Sequence, residues 1–268
     1  MPILGIDYEK CINCKTCIIT CPRNLFSEVD EDQVIFQDPQ DQCNLCGHCI
    51  ARCAEDAIIY ENIGESYTFE EINKLENLVS YETILKFFQA HRSIRRYKKD
   101  KVPVVLLQKV FNAMQYAPTA RNLRTESYSI ISDKEKLKNL SDAVYKEIIE
   151  NPLTRDLYKN TLPRLEKEFY CPIFFDAPHV IFVASQLGIP IEDNNIGIII
   201  TYGRLAAQTL GLGTCWNGLT SSAMQFDPNI MKLANIRGKK VGVFTLGYPD
   251  VTFYHTAPRL LKNVKGLK

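Results

Sequence analysis

The chain has 268 residues, of which 46% are hydrophobic and 24% charged, and its formal net charge is +1. This composition is ordinary for a soluble globular protein, and the length allows a small module plus one further domain with its own core. No apolar run is long enough to cross a bilayer, and a first cysteine at position 11 leaves no room for a signal peptide. We therefore expect a cytoplasmic protein without a membrane or nucleic-acid partner.

Cysteines dominate the N-terminal part of the chain. Eight of the ten fall in two similar runs, one at Cys11, Cys14, Cys17 and Cys21 and the other at Cys43, Cys46, Cys49 and Cys53. Three thiolates at two-residue spacing suit one face of a [4Fe–4S] cubane, and the fourth thiolate then reaches the other cluster. The pattern predicts one cluster held by Cys11, Cys14, Cys17 and Cys53, and a second held by Cys43, Cys46, Cys49 and Cys21.

Two other uses of these cysteines stay open. Two zinc sites would also consume eight thiolates, but zinc motifs usually separate their cysteine pairs by a dozen or more residues. A disulfide framework needs an oxidising compartment, which the expected location does not offer. Both alternatives fit the tight spacing less well than iron–sulfur clusters do.

The N-terminal part is also acidic. Residues 1–60 carry four basic and ten acidic side chains, a net charge of −6, so the rest of the chain carries +7. An acidic cluster module gains solubility from such a charge. It would equally dock well on a basic electron acceptor, and both interpretations stand.

The segment after Cys53 predicts a structured connection. Residues 54–60 predict a short helical turn that leads into a strand, and Thr68 and Glu71 have the spacing of a capping box. From there to Ala90 the apolar pattern predicts one or two amphipathic helices. We therefore interpret 63–90 as a helical linker that includes the first helix of the next domain, and not as a free tether.

Helices and strands mix in the remaining sequence. Apolar periodicity predicts helices at 104–115, 134–150 and 195–210, and strands at 127–132, 180–184 and 241–246. No regular alternation of strand and helix is present, so the pattern favours an α+β fold over a doubly wound one.

A basic segment opens this second part. Residues 91–96 contain His91, Arg92, Ser93, Arg95 and Arg96. Guanidinium groups and a hydroxyl can bind several oxygens of one phosphate, although a solvated basic patch has the same composition.

Two family resemblances extend this interpretation. The cysteine runs resemble those of bacterial ferredoxins with two [4Fe–4S] clusters, over about residues 1–60, and we assign residues 1–62 to this domain. Five later segments, in order, resemble the FMN-dependent nitroreductase family over roughly residues 80–265, and we assign residues 80–268 to this domain. These segments are 91–97, 116–122, 176–178, 211–218, and 247–249 with 258–259.

The second resemblance implies roles for individual residues. FMN phosphate would be bound by Arg92, Ser93 and Arg259, with His91, while Arg95 would lie near the N1–C2=O edge of the flavin. Pro118, Thr119 and Asn122 would line the flavin ring and ribityl chain. Asn217 and Gly218 would present backbone N–H groups to N5, and Asn217 stands where family members often carry an acidic residue.

The combined resemblance implies an α+β enzyme that contains two [4Fe–4S] clusters and FMN and forms a homodimer. It would reduce a small organic acceptor of the nitroaromatic, quinone or enone type. No side chain is predicted to be catalytic, because the flavin carries the chemistry. Built-in clusters favour reduced ferredoxin or a similar low-potential donor over NAD(P)H. An electron carrier or redox sensor, and a flavin-consuming or dehalogenating relative, are the alternatives.

Overall fold

The computed structural model describes residues 2–29 and 33–266. The described chain divides into two compact units. The first unit takes the chain up to Val79 together with Ala120–Leu123, and the second takes Ser80–Thr119 and the chain from Arg124 onward. The predicted boundaries at residues 62 and 80 placed 120–123 in the second domain, whereas these four residues pack with the first unit.

The first unit combines two short antiparallel ribbons with small helices. One ribbon pairs β1 with β4, and the other pairs β2 with β3. The elements in chain order are β1 Ile3–Ile6, α1 Thr16–Thr20, β2 Phe26–Val29, β3 Gln33–Phe36, α2 His48–Arg52, β4 Ile58–Tyr60 and α3 Leu75–Leu78. The predicted strand after Cys53 is therefore confirmed as β4.

The core of the first unit is small. Its fully buried apolar side chains are Ile3, Ile6, Phe26, Val34, Ala57 and Ile58, and six of the eight N-terminal cysteines pack against them. A core of this size contributes little stability by itself, and small cysteine-rich modules commonly depend on bound metal for folding.

The predicted capping box is wrong. Thr68 and Glu71 lie in irregular chain and turn, and Glu71 has a φ of +66°, which is incompatible with a helix at that point. The helix cap lies further on, where the Ser80 side chain accepts the Thr83 N–H at 3.2 Å and starts helix α4 at Tyr81.

The second unit is built on a four-stranded antiparallel sheet. The strands are β5 Glu126–Ile131, β6 His179–Ser185, β7 Gly213–Trp216 and β8 Lys240–Gly247, and they lie in the order β5-β6-β8-β7. Its helices are α4 Tyr81–Ala90, α5 Val104–Gln115, α6 Lys134–Glu150, α7 Arg155–Tyr158, α8 Thr161–Glu168, α9 Ile191–Thr209, α10 Gly218–Phe226 and α11 Asn229–Leu233.

Most of the predicted elements are confirmed, as is the α+β class. Helices α5 and α6 match their predicted bounds, and strands β5, β6 and β8 match within one residue at each end. Helix α9 begins four residues before the predicted start. Pro190 precedes its first turn, where proline is tolerated, and two acidic residues stabilise that turn.

The sheet of the second unit lies between two helical layers. Strand β6 is buried along its whole length because its side chains alternate between the layers. Val180 and Phe182 join the core beneath α6, α10 and α11, while Ile181 and Val183 join the core beneath α5 and α9. None of the helices in the described ranges is long and apolar enough to cross a membrane.

A buried histidine ties the start of β6 to two neighbouring segments. His179 is 3% exposed, its Nε2 accepts the Val102 N–H at 3.1 Å, and its Nδ1 lies 2.6 Å from Ser132 Oγ. Because Nε2 accepts a hydrogen bond, the ring is neutral and Nδ1 donates to Ser132. Burial, with a smaller effect of Lys101, lowers the pKa of His179 below its ordinary value of 6.5.

This arrangement predicts a loss of stability in acid. Below pH 6.5 the unfolded chain takes up a proton that folded His179 resists, so the free energy of unfolding falls as the pH drops toward the folded pKa. We expect His179→Gln to flatten this dependence between about pH 7 and pH 5. Denaturant unfolding followed by the fluorescence of Trp216, the chain's one tryptophan, measures it. Equal pH slopes in the two proteins would contradict the role of His179.

Candidate functional site

The two cysteine runs fold alike. In each run the third cysteine lies on a five-residue helix, α1 or α2, and the fourth cysteine ends that helix with an extended backbone. Two left-handed residues precede each helix. They are Asn13 (φ +53°) and Lys15 (φ +60°) in the first run, and Leu45 (φ +54°) and Gly47 (φ +71°) in the second. The two loops are therefore approximate repeats of one structure.

The first group of thiols surrounds a pocket in the N-terminal unit. This pocket is lined by Cys11, Cys14, Cys17, Cys49 and Cys53, with Ile6, Val34 and Ile58 among its apolar walls. The last cysteine of the second run thus lies beside the first three of the first run.

In residues 2–29 and 33–266, no three His, Cys, Asp or Glu side chains are placed to hold a single metal ion.

The second group of thiols consists of Cys21 and the first three cysteines of the second run. A thiolate at Cys49 would be repelled by charges at Cys46, Cys43 and Cys21, and one at Cys43 by charges at Cys46 and Cys21. Each group therefore contains three cysteines of one run and the fourth cysteine of the other.

Burial makes most of the affected thiols reluctant to ionise. Desolvation raises the pKa of Cys17 and Cys43, and it raises the pKa of Cys49 to about 11. Hydrogen bonding to Thr16 instead lowers the pKa of Cys14, which is exposed. Metal binding at the buried thiols must therefore displace protons.

Backbone amides point at the fourth sulfur of each run. Leu25 N–H donates to Cys21 Sγ at 3.4 Å, and Ala57 N–H donates to Cys53 Sγ at 3.2 Å, in each case four residues after the cysteine. Such donors stabilise negative charge on sulfur and so tune a bound iron–sulfur centre.

A separate, cationic pocket lies in the second unit. It has a volume of about 200 Å³, and His91, Arg92, Arg204 and Gln208 contribute its polar side chains. Strand β7 supplies Gly213 and Thr214, and the tail supplies Phe253, on whose ring the Arg92 guanidinium stacks at 5.7 Å from the centroid.

The charge in this pocket is not neutralised by a nearby carboxylate. Within the described chain, neither Arg92 nor Arg204 has an acidic side chain within ion-pair distance. Arg204 Nε donates to Thr214 Oγ1 at 3.3 Å, and burial lowers its pKa. Burial also lowers the pKa of His91, whose Nδ1 hydrogen bonds to Gln208 Oε1. Half-buried cations without a counter-ion make a site for an anion.

The remaining residues of the basic segment are placed differently. Ser93 forms a backbone β-bridge with Thr214, and burial raises the pKa of the Cys215 thiol, while the side chains of Ser93 and Arg95 act to lower it. Arg96 pairs with Glu168 at 2.6 Å. Arg259, predicted to bind phosphate, is exposed in the tail and does not line the cationic pocket.

The predicted flavin-lining turn lies partly in the N-terminal unit. Pro118 is exposed, and Thr119 Oγ1 accepts the Arg124 N–H at 3.2 Å, both within the second unit. Asn122 belongs to the first unit, where its side-chain amide donates to the carbonyl oxygens of Asn44 and Leu45.

Asn217 is more constrained than its predicted role requires. Its backbone N–H donates to Val243 O at 2.7 Å, so this N–H is not available to a ligand, which corrects that part of the prediction. Gly218 is exposed at the first position of α10, where no helical carbonyl accepts its N–H. Of the two backbone N–H groups predicted to bind flavin N5, that of Asn217 is paired with Val243 O and that of Gly218 has no helical acceptor.

Arg204 and Gln208 were missed by the sequence prediction. Both lie on the long helix α9, one turn apart, on the side that faces β7 and α4. Arg204 is the one basic residue of that helix and stands among apolar residues. A lone cation in such a helix was the available signal.

The first unit contains two sets of four cysteines, as in an iron–sulfur redox protein. The second unit contains a cationic pocket beside an antiparallel sheet, which suits an anion. The chain belongs to the Nitroreductase family, whose model matches residues 89–248. The model of the 4Fe-4S dicluster domain matches residues 10–58, so a ferredoxin module with two clusters is fused to the nitroreductase domain.

Individual proteins agree with this architecture. An iodotyrosine deiodinase of Nematostella vectensis is 26% identical over 206 residues, which cover 72% of this chain and 75% of that protein. An uncharacterized ferredoxin of Methanocaldococcus jannaschii is 31% identical over 70 residues, which cover 26% of this chain and 91% of that protein. A nitroreductase with bound FMN from Bacteroides fragilis superimposes with a TM-score of 0.55 at 19% identity, over 69% of this chain and 97% of that one, and it shares the fold.

The side chain of Asn217 predicts a defined stability effect. Its Oδ1 accepts from Thr220 N and Thr220 Oγ1 at 3.0 and 2.9 Å, and its Nδ2 donates to Ile173 O at 2.6 Å. Asn217→Asp keeps the cap but sets a carboxylate oxygen against the Ile173 carbonyl. We expect a loss of about 1–3 kcal/mol in the free energy of unfolding at pH 7.

Protonation of the new carboxyl group restores a donor, so the difference from the wild type should shrink as the pH falls. Denaturant unfolding of both proteins at pH 7 and pH 5 tests this expectation. Asn217→Ser is the matched control, because it keeps a cap acceptor without adding charge. A difference that stays constant with pH would show that the Ile173 contact is not what matters.

Proposed function

We propose that the protein is an FMN-dependent oxidoreductase that receives electrons through its two [4Fe–4S] clusters and reduces a small organic acceptor. The observation that carries the proposal is the pair of family matches within one chain, at residues 10–58 and 89–248. A domain that accepts electrons singly is thereby joined to a domain of an oxidoreductase family.

The proposed ligands follow the two thiol groups. Cys11, Cys14, Cys17 and Cys53 hold the first cluster, and Cys21, Cys43, Cys46 and Cys49 hold the second. The donor set suits iron–sulfur chemistry, because each group offers four thiols with apolar packing and backbone N–H donors at sulfur. All ten cysteines are free thiols and so available as ligands.

The cationic pocket suits the phosphate of FMN. Arg92 and Arg204 supply charge, and His91, Gln208 and the chain at 211–214 supply neighbouring polar groups. In this proposal Ser93 and Arg95 would lie beside the flavin, Pro118 and Thr119 would line it, and Arg259, which is exposed in the tail, would have to move to reach the phosphate. The N–H of Gly218, which no helical carbonyl accepts, would be available to flavin N5.

FMN, when bound, takes up electrons one at a time and passes them on as pairs. The chain's own residues bind and orient it. Arg95 carries a positive charge that stabilises a negatively charged ring, and the cations of the pocket neutralise the phosphate.

The donor we propose is reduced ferredoxin or a similar low-potential protein. The clusters provide an entry for single electrons that a hydride donor such as NAD(P)H does not need. We further propose a homodimer, as the family resemblance implies, and acceptors of the nitroaromatic, quinone or enone type.

Dehalogenation of an aromatic compound is the second candidate. The observation that favours it is the similarity to an iodotyrosine deiodinase over 72% of this chain. Both candidates use the same flavin site and differ in the acceptor alone.

The role of Arg204 gives a binding test. Arg204→Gln removes one charged partner of the phosphate while leaving a polar side chain, so we expect the Kd for FMN to rise about 10- to 100-fold. Recovery of FMN fluorescence on dilution measures the Kd. Arg96→Gln is the matched control, because Arg96 is paired with Glu168 and lies outside the pocket. Equal affinity in the two variants would remove Arg204 from the site.

An anaerobic turnover assay tests the function. Chemically reduced ferredoxin, or NADPH in a parallel reaction, is supplied with a nitroaromatic, a quinone or an iodinated phenol, and product or iodide is followed. We expect ferredoxin-driven turnover with at least one acceptor, and Cys14→Ser to lose it while retaining FMN. Cys171→Ala, which removes a core thiol outside both runs, should retain turnover.

The outcomes separate the candidates. Iodide release without nitro or quinone reduction would favour dehalogenation. Reduction of the protein by ferredoxin without turnover of any acceptor would favour an electron carrier or sensor. Turnover with NADPH alone that Cys14→Ser leaves intact would contradict delivery through the clusters.

A further inference from the structure

One side-chain amide binds the loop between the first two thiols of the second cysteine run. Asn122 Nδ2 donates to the carbonyl oxygens of Leu45 at 2.8 Å and Asn44 at 3.0 Å. Asn122 and this loop belong to the same compact unit, although 77 residues separate Asn122 from Leu45 in the sequence. Both donated bonds go to peptide groups between Cys43 and Cys46.

The second loop lacks the internal support that the first loop has. Asn13 and Leu45 occupy equivalent positions, and both are left-handed, with φ of +53° and +54°. Asparagine tolerates this conformation better than leucine, and Asn13 Oδ1 also accepts the Val34 N–H at 3.4 Å. Leu45 has no polar side chain, so its strained loop takes hydrogen bonds from Asn122 instead.

The bound peptide also contacts a ligand sulfur. The Leu45 N–H interacts favourably with negative charge on Cys43 Sγ. This N–H belongs to the peptide group whose carbonyl oxygen, on Asn44, accepts from Asn122. A carbonyl that accepts a hydrogen bond makes the N–H of its own peptide a stronger donor, so the effect passes from Asn122 to Cys43.

We propose that Asn122 is a positioning residue for the second cluster. Its carboxamide holds the loop from Cys43 to Cys46 and strengthens the interaction of the Leu45 N–H with Cys43 Sγ. Stronger hydrogen bonds to ligand sulfur stabilise the more negative, reduced cluster and raise its reduction potential. The inference rests on the proposed ligation by Cys21, Cys43, Cys46 and Cys49, and it gives Asn122 a role other than lining the flavin.

The test is a redox titration of the full chain with its clusters and FMN, followed by electron paramagnetic resonance. The step that Cys46→Ser removes or alters identifies the second cluster. In Asn122→Ala we expect that step to move to a more negative potential. In Asn122→Asp it should move further, because a carboxylate cannot donate and adds negative charge. Asn122→Gln, which retains a carboxamide, should recover part of the shift.

Leu123→Ala is the matched control, since Leu123 is an exposed apolar residue in the same turn. It should leave both steps unchanged. The step of the first cluster, the iron and sulfide content and the FMN content should match the wild type in every Asn122 variant. Selective loss of the second cluster in Asn122→Ala, with the first cluster retained, would also support the positioning role.

Unshifted second steps in Asn122→Ala and Asn122→Asp would overturn the proposal. If FMN content falls in those variants while both cluster steps stay in place, Asn122 lines the flavin instead. A wild-type chain that shows a single cluster step would overturn the ligand assignment itself. The failure of the proposed function is thereby distinguished from the failure of the role of Asn122.

Discussion

The convergence of eight thiols in a very small unit is the constraint on which the N-terminal unit depends. Desolvation raises the pKa of Cys17, Cys43 and Cys49, so these thiols stay protonated near neutral pH until metal binding displaces their protons. The buried apolar cluster in the described part of that unit has six side chains, and a core of this size contributes little stability by itself. Cluster binding must therefore supply folding free energy, and the two functions of the cysteines, structure and electron transfer, cannot be separated.

The second unit differs from the first, because it has a large apolar core and places its cationic pocket at the edge of that core. Side chains of β6 pack into the cores on both faces of the sheet, and Arg204 of α9 contacts Thr214 of β7. The Arg204 side chain is half-buried there, and no carboxylate in the described chain forms an ion pair with it. Leaving a cation in this state is costly, and the cost is recovered when an anion binds. A cofactor with a phosphate group gains affinity from a site that is already organised.

Features that depend on a local sequence pattern could be predicted, and features that depend on contacts between distant segments could not. The helices at 104–115 and 134–150 and the strands β5, β6 and β8 depend on short-range periodicity, and they were predicted well. The capping box predicted at Thr68 is wrong, because a cap requires a helical backbone after it and Glu71 has a left-handed backbone. Arg204 and the packing of residues 120–123 were missed because both depend on contacts between distant segments, which no local pattern records.

Residues 120–123 complete the N-terminal unit, although they are encoded well after it. During synthesis the chain leaves the ribosome from its N-terminus, and domains usually fold as they emerge. The cysteine-rich part can gather its thiols early, but the loop at Leu45 receives its hydrogen bonds from Asn122 only when that later segment has appeared. Completion of the N-terminal unit therefore requires a segment that is synthesised after the second unit has begun, and a fragment that ends at residue 79 lacks part of that unit.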